Sequence, residues 1–192
     1  GQALTFRCYD YVDLGWRHLY CGLFSLEQEG VTWYFLDNEQ YFGRNELYGC
    51  PDDGERFAFF SRAVVRMLHH LDFWPDVIHC NDWQTALIPI YLKDDGVREE
   101  QLRRIATVIS IHNIEYQGRF NPYCLGDLFG LDRGWAADGT LMMDGDVNLL
   151  KGAILCADAV STVSPTYAQE LKNPFFSCGM DSIIERCSYK LS

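Results

Sequence analysis

The sequence lacks the charge pattern of a nucleic-acid-binding protein. It contains no run rich in lysine or arginine, and its 27 acidic residues against 16 basic ones give a formal net charge of −11. A surface of this sign repels the phosphate backbone of DNA and RNA. We therefore predict no nucleic-acid partner, and a substrate that is either neutral or an anion held by local contacts.

Several catalytic motifs are absent as well. The sequence has no G-x-G-x-x-G, no G-x-x-x-x-G-K-[ST] and no G-x-S-x-G. Neither the usual dinucleotide-binding turn, nor a P-loop, nor a hydrolase nucleophile elbow is therefore supported. None of the eight cysteines forms C-x-x-C, and no His and carboxylate cluster has metal-ligand spacing. We predict no metal and no cofactor.

The sequence shows no signal-peptide pattern and no apolar run of membrane-spanning length, so we predict no membrane partner. Cys80 stands in a strand-like segment after Val77 and Ile78, and Cys156 follows Ile154 and Leu155, which is typical of buried free thiols. Free thiols indicate a reducing compartment. We expect a cytoplasmic protein, or a plastid protein if the source is a plant.

The composition is that of a folded domain. Hydrophobic residues make up 48% of the chain and aromatic residues 15%. The length suits one domain, and most of the aromatic side chains are expected in its core.

Strand-like and helix-like patterns alternate along the chain. We predict a buried strand at 31–36 after a turn at Glu29-Gly30, with a partner strand at 19–26. A helix begins at 52–55, and its predicted apolar face comprises Phe57, Phe60, Val64, Met67, Leu68 and Leu71. Further strands are predicted at 76–80, 105–111 and 159–163. Further helices are predicted at 82–93 with a kink or break at Pro89, at 146–157, and from Ser164-Pro165 onward. A long irregular excursion covers 121–144. This order is typical of an α/β domain with a Rossmann-like parallel sheet flanked by helices.

Polar residues and a tryptophan follow the ends of the predicted parallel strands. They are Asp82, Trp83 and Gln84 after the first, His112 and Asn113 after the second, and Ser164 after the third. In open α/β sheets, ligands bind beyond the carboxyl ends of the strands. Carboxylate and amide groups beside an aromatic ring are suited to a sugar, which offers both hydroxyls and an apolar face.

Each of these residues also has a structural interpretation. Asp82 is suited to cap the following helix, with or without accepting a sugar hydroxyl, and Ser164 reads as a plain N-cap. For Trp83 we favour packing over stacking on a ligand. His112 stands beside Asn113 at a strand end, which favours a functional role.

Three segments resemble glycogen and starch synthases of the bacterial type. P-D-V-I-H-C-N-D-W-Q-T-A at 75–86 resembles their P-D-V-h-H-x-x-D-W-x-x-x-L segment. S-I-H-N-I-E-Y-Q-G at 110–118 is similar to their h-H-N-x-x-Y-Q-G, and 144–170 resembles the stretch that ends in T-V-S-P-T-Y-A-x-E. Tyr48-Gly49 and the following E-R-F also fit this family. The resemblance spans about residues 30 to 190.

The resemblance implies a GT-B fold, in which a cleft separates two Rossmann-like domains. Residues 1–192 would be an incomplete N-terminal, acceptor-side domain, with the C-terminal nucleotide-binding domain absent. The implied reaction is transfer of glucose from ADP-glucose or UDP-glucose to the 4-hydroxyl end of an α-1,4-glucan, with retention and without a metal.

The resemblance also implies roles for single residues. His112 matches the histidine that lies against the transferred glucose, with its backbone carbonyl facing the anomeric carbon, and Asn113 matches a neighbouring sugar contact. Asp82 and Trp83 match acceptor-side positions, and Tyr48 matches a donor-side contact. Gln84 matches a substrate-binding position at which many relatives have histidine, so the side-chain chemistry of that histidine is not carried over to Gln84.

The K-T-G-G-L loop with which this family grips the donor phosphate is not in the chain. We therefore expect the 192 residues alone to be inactive. Two alternatives stay open: another GT-B glycosyltransferase, such as a sucrose- or trehalose-phosphate-type synthase, and a glycan-binding module without catalysis.

Overall fold

A computed structural model describes residues 3–192 of the chain. The strands are β1 (Thr5–Leu14), β2 (Arg17–Gln28), β3 (Val31–Asp37), β4 (Val77–Asn81), β5 (Ala106–Ile111), β6 (Arg119–Phe120), β7 (Met142–Met143), β8 (Asp146–Asn148) and β9 (Ala159–Thr162). The helices are α1 (Glu39–Phe42), α2 (Asp53–Met67), α3 (Leu87–Asp95), α4 (Glu100–Arg103), α5 (Cys124–Asp127), α6 (Gly134–Ala137), α7 (Leu149–Cys156), α8 (Pro165–Glu170) and α9 (Asp181–Arg186). Short 3₁₀ turns occupy Leu68–His70, Trp83–Thr85 and Ser188–Lys190.

A parallel sheet of order β4-β5-β9 forms the centre of the domain. Ile109 and Ile111 of its middle strand are fully buried, as are Ile90 of α3 and Leu150 of α7. Parallel strands buried on both faces need helices as crossovers, and the helical segments between these strands provide them. The predicted α/β class with a helix-flanked parallel sheet is therefore confirmed.

An antiparallel sheet, β1-β2-β3, precedes this core and packs on α2. The predicted pairing of 19–26 with the next strand is confirmed. Glu29 and Gly30 form the connecting turn with φ of 54° and 79°, the two positive values that a tight two-residue hairpin requires.

The prediction that 31–36 is a buried strand is wrong. β3 is an edge strand of the antiparallel sheet, and Val31, Trp33 and Phe35 are 53%, 52% and 39% exposed. One face of the sheet packs on α2, whereas the other face has no neighbouring layer among residues 3–192. The sheet therefore alternates between inward and outward side chains.

The expectation that most aromatic side chains lie in the core is also wrong, because 15 of them are exposed. Six of these belong to the antiparallel sheet: Phe6, Tyr9, Tyr11, Tyr20, Trp33 and Phe35. Neighbouring rings contact each other there, with Tyr9 and Tyr20 stacked at a centroid distance of 6.0 Å. Such cross-strand pairs stabilise a sheet without burying the rings.

Helix α2 is buried more widely than its apolar spacing predicts. Phe57, Phe60 and Val64 are only half-buried, whereas Phe59 and Ala63 are fully buried. The helix lies between the antiparallel sheet and α3, so both of its sides are covered. The single predicted apolar face is therefore corrected to two covered faces.

Two helix boundaries differ from the prediction. The segment after β4 forms a 3₁₀ turn, and α3 begins only at Leu87, so Pro89 falls in its first turn, where a proline breaks no helical hydrogen bond. The predicted helix 146–157 begins at Leu149, where Asn148 accepts a hydrogen bond from the Lys151 amide, and the residues before it pair as β8. The excursion at 121–144 holds α5, α6 and β7.

All eight cysteines are free thiols, and Cys80 and Cys156 are buried as predicted. Burial raises the pKa of Cys80 to about 12 and that of Cys156 to about 11. Both side chains act as small apolar core groups. Within residues 3–192, no helix has the length and apolar character needed to cross a membrane.

Candidate functional site

The ends of β4 and β5 lie side by side. The strands are parallel and paired up to Asn81 and Ser110, and the Asp82 amide donates to the Ser110 carbonyl at 2.9 Å. The loops that follow the two strands therefore leave the sheet together. Ser164, after β9, is engaged differently: its hydroxyl accepts a hydrogen bond from the Tyr167 amide at 3.1 Å and caps α8. The N-cap interpretation of Ser164 is confirmed.

Asp82 holds His112 by two hydrogen bonds. One carboxylate oxygen accepts from the His112 backbone amide at 2.8 Å, and the other lies 2.9 Å from the imidazole Nδ1. The carboxylate makes no capping bond to the following turn, so the N-cap interpretation of Asp82 is wrong. A carboxylate bound to Nδ1 orients the ring, favours the Nδ1–H tautomer and directs Nε2 away from Asp82.

The backbone at Asp82 is strained. Its φ of 57° and ψ of −173° lie in a region that non-glycine residues rarely adopt, at a typical cost of about 1–3 kcal/mol. Thr85 helps to hold this conformation, because its hydroxyl bonds both the amide and the carbonyl of Asn81. Strain of this kind is typical of functional sites, where the surrounding structure keeps a side chain in an otherwise unfavourable position.

A cleft of about 430 Å³ opens above these strand ends. Its lining residues are Tyr48, Gly49, Asp53, Asp82, Trp83, Gln84, Asn113 and Tyr116. The cleft therefore brings together five of the six residues that the sequence predicted for the site. The sixth, His112, does not line it; it is bonded to Asp82, which does, and its side chain is 50% exposed.

Sequence reasoning did not assign Gly49, Asp53 or Tyr116 to the site. Tyr116 is 61% exposed at the cleft, and its motif position was the available signal. Gly49 and Asp53 reach the cleft only because the loop before α2 folds over the strand ends, and no local pattern predicts that approach.

Trp83 is packed, which agrees with the interpretation that its sequence position favoured. Its ring meets Phe57 edge-on at 5.2 Å between centroids and lies 5.9 Å from Phe120. The ring also lies against Gly118, where an added Cβ would come within 2.7 Å of Trp83 Cε3. The part of the ring that remains accessible forms the floor of the cleft.

The loop after β5 is anchored from below. The buried Gln117 side chain donates to the Ile114 and Cys178 carbonyls, and its Oε1 accepts from the Asn148 side-chain Nδ2 at 2.7 Å. The Asn113 side chain accepts from the Glu115 amide at 3.0 Å, which closes a tight turn beside the cleft. The loop therefore holds Asn113 in a defined position.

The electrostatic character of the cleft is acidic. Asp53 and Asp82 contribute carboxylates, and none of its lining residues is lysine or arginine. Hydroxyl groups of a sugar suit such a lining, whereas a diphosphate needs positive charge from elsewhere.

A larger cleft, of about 520 Å³, lies at the opposite end of the sheet beside Pro89, Arg103 and Asp158. It stands at the amino ends of the strands, where open α/β sheets do not usually bind ligands. One Asp158 oxygen is already bonded to the Thr107 amide at 2.7 Å. Position and chemistry both favour the smaller cleft as the site.

Cys50, Asp52 and Asp53 approach closely enough to hold a metal ion. Both Asp52 oxygens, however, accept hydrogen bonds from Arg44, at 2.7 and 2.8 Å. The Asp53 oxygens are likewise occupied by protein donors, Arg56 and the Gly49 amide. The donor set does not favour a metal, and the expectation of a metal-free site stays a prediction.

The family model described as starch synthase catalytic domain matches residues 2–186. The chain belongs to this family. It is 52% identical over 184 residues to a glycogen synthase of Lactococcus lactis subsp. lactis (strain IL1403), covering 96% of this chain and 38% of that protein. It is 48% identical over 192 residues to a glycogen synthase of Streptococcus agalactiae serotype III (strain NEM316), covering 100% of this chain and 40% of that one.

A solved structure shows the same fold. The catalytic domain of starch synthase IV from Arabidopsis thaliana, bound to ADP and acarbose, superposes with a TM-score of 0.82 at 31% sequence identity. The match covers 99% of this chain and 41% of that one. The chain thus spans about two fifths of the length of the relatives that it matches.

Proposed function

We propose that the protein is a retaining glucosyltransferase that moves glucose from ADP-glucose or UDP-glucose to the 4-hydroxyl end of an α-1,4-glucan. Residues 1–192 supply the acceptor-side half of its catalytic cleft. The observation that carries the proposal is the convergence of Asp82, Trp83, Gln84 and Asn113 at the carboxyl ends of two parallel strands, in a member of the starch synthase catalytic domain family.

In the proposed mechanism, His112 lies against the transferred glucose and Asp82 orients its imidazole. The His112 carbonyl faces the anomeric carbon, where positive oxocarbenium character develops, and contributes electrostatic stabilisation. Asn113 binds sugar hydroxyls, and Trp83 with Gln84 contacts the glucan end. Tyr48 contacts the donor from the opposite wall.

The donor diphosphate is proposed to bind a second, nucleotide-binding domain. The acidic cleft supports this division, because the leaving diphosphate needs cations that its lining residues do not provide. The 192 residues by themselves are therefore expected to bind glucan without transferring glucose.

The test is incorporation of labelled glucose into glycogen, with ADP-glucose and UDP-glucose as separate donors and the full-length protein as enzyme. We expect incorporation from at least one donor, release of the label by an α-1,4-specific glucosidase, and no incorporation by residues 1–192 alone. Glycogen binding without incorporation from either donor would instead indicate a glycan-binding module. A label resistant to the glucosidase would contradict transfer to the 4-hydroxyl with retention.

A further inference from the structure

The wall of the cleft opposite the strand ends is an irregular loop. Residues 46–49, here termed the Tyr48 loop, lie between α1 and α2 and contain neither helix nor strand. Tyr48 is 69% exposed, so burial of its ring does not hold it in place. Other groups must fix the loop if Tyr48 is to keep one position over the cleft.

Arg56 of α2 holds the carbonyl side of this loop. Its side chain is 3% exposed, and its guanidinium donates to the carbonyls of Glu46 at 3.3 Å and Leu47 at 2.6 Å. Its Nε–H has no hydrogen-bond partner in the part of the chain that the structure describes. A guanidinium buried with one unpaired donor lowers stability. Arg56 therefore contacts the loop even though its burial lowers the stability of the fold.

Asp53 completes the attachment from the amide side. One of its oxygens accepts from Arg56 at 2.7 Å, and the other accepts from the Gly49 amide at 2.6 Å. Gly49 has a φ of 88°, which lets the chain turn back toward this carboxylate. Tyr48 is consequently flanked on both sides by backbone atoms that are tied to the first turns of α2.

We propose that Asp53 and Arg56 form a positioning pair that sets Tyr48 against a glucosyl unit bound in the cleft. The inference rests on the proposed function, and it deepens that function by assigning the pair a role in substrate affinity. The two residues act through Tyr48: the buried ion pair fixes the backbone, and the backbone presents the ring to the sugar.

The test combines Asp53→Asn with Tyr48→Ala in the full-length protein. Asparagine has the same shape, but its NH₂ group would face one of the two donors, either Arg56 or the backbone N–H of Gly49. One of the two hydrogen bonds would therefore be lost. We expect kcat/KM for glucosyl transfer to fall about tenfold, mainly through a higher KM for the sugar-nucleotide donor. We also expect faster hydrogen exchange at the Gly49 amide.

The double variant separates positioning from general destabilisation. If Asp53 acts through Tyr48, the double variant will be scarcely worse than Tyr48→Ala alone. Tyr48→Ala removes an exposed side chain and leaves the core intact, so it tests the sugar contact even if Asp53→Asn lowers stability. Asp95→Asn is the matched control. It weakens a part-buried ion pair between Asp95 of α3 and Arg62 of α2, away from the cleft, and should leave kcat/KM unchanged.

Additive losses in the double variant, or an unchanged Gly49 exchange rate in Asp53→Asn, would overturn the proposal. Complete absence of transfer by the wild-type protein would instead refute the proposed function, and the sugar contact with it. Faster exchange at Gly49 in Asp53→Asn would in that case still establish that the pair anchors the Tyr48 loop.

Discussion

At the scale of single residues, Asp82 connects the backbone of the site to its side chains. Its positive φ turns the chain sharply after β4 and brings its carboxylate to the amide and ring of His112. The strain is offset by these two bonds and by the bond from its own amide to Ser110. One residue thereby fixes the relative positions of the two strand-end loops.

Gly118 has no side chain, and this leaves room for the Trp83 ring at the floor of the cleft. Its φ is 64°, and an added Cβ would contact the Trp83 ring at 2.7 Å. We expect Gly118→Ala to lower the free energy of unfolding by about 2–4 kcal/mol, because a left-handed backbone penalty adds to overpacking. Urea unfolding measures this loss.

Gly139→Ala is the control for Gly118→Ala. Gly139 also has a positive φ, 77°, but an added Cβ there meets nothing within 4 Å. We expect this variant to show the backbone penalty alone, about 1 kcal/mol. Equal losses in the two variants would show that close packing of Trp83 against Gly118 is unimportant.

The strand-end residues could be predicted because they follow recognisable strands and belong to family motifs. The interpretation of Asp82 as an N-cap failed because capping competes with a partner 30 positions away, His112, which local sequence does not reveal. Asp53 was missed for the same reason. Its acidic position at the start of α2 predicts a helix-dipole contact, whereas its bonds tie down the Tyr48 loop.

At the scale of elements, charged groups tie the antiparallel sheet to the end of α2. One Asp10 oxygen of β1 lies 2.7 Å from Arg66 Nε and 2.7 Å from His70 Nε2. Desolvation raises the pKa of the Asp10 carboxyl, but hydrogen bonds from His70 and Arg66 outweigh it and hold that pKa well below its ordinary value. The junction is thus strongest when Asp10 is ionised.

This lowered pKa predicts a pH-dependent contribution to stability. A carboxyl whose pKa is lower in the folded than in the unfolded state stabilises the fold above the unfolded pKa, about 4, and loses that contribution as the pH falls. We expect Asp10→Asn to lower the free energy of unfolding by about 1 kcal/mol at pH 5 and by less at pH 3. Urea unfolding at both pH values provides the measurement.

Asp13→Asn is the control for the junction, since Asp13 pairs with His18 on the surface, with its side chain 79% exposed. Exposed ion pairs contribute little, so we expect almost no change at either pH. A loss in Asp10→Asn that is the same at pH 5 and pH 3 would contradict the assigned role of the carboxylate.

The order of elements could largely be predicted, whereas their packing could not. Apolar runs and turn residues indicated β4, β5 and β9 to within a residue or two. The burial of β3 was predicted wrongly because large apolar residues such as Trp33 and Phe35 give this strand the composition of a core strand. Their exposure depends on which layers cover the sheet, and that is a property of the tertiary arrangement.

At the scale of the whole molecule, the domain presents an acidic cleft whose lining contains no lysine or arginine. The chain also covers only about two fifths of its relatives' length. Both observations support the proposal that catalysis needs a second domain, which would hold the nucleotide over Tyr48 and Asn113. The family resemblance contributed this expectation, since composition and periodicity alone indicate only an α/β domain with a polar rim.

The most direct test of the central claim is the rate of glucosyl transfer to glycogen by full-length protein carrying His112→Ala, beside the wild type and His69→Ala. His69 lies on the surface and also pairs with a carboxylate, Glu99 at 2.8 Å, so it is a matched histidine away from the strand ends. Alanine keeps the His112 backbone carbonyl but removes the imidazole that Asp82 orients and that is proposed to position the transferred glucose. We therefore predict that kcat falls about 100-fold in His112→Ala and is unchanged in His69→Ala. Wild-type rates in His112→Ala would contradict the proposed role of the His112 imidazole at the strand ends.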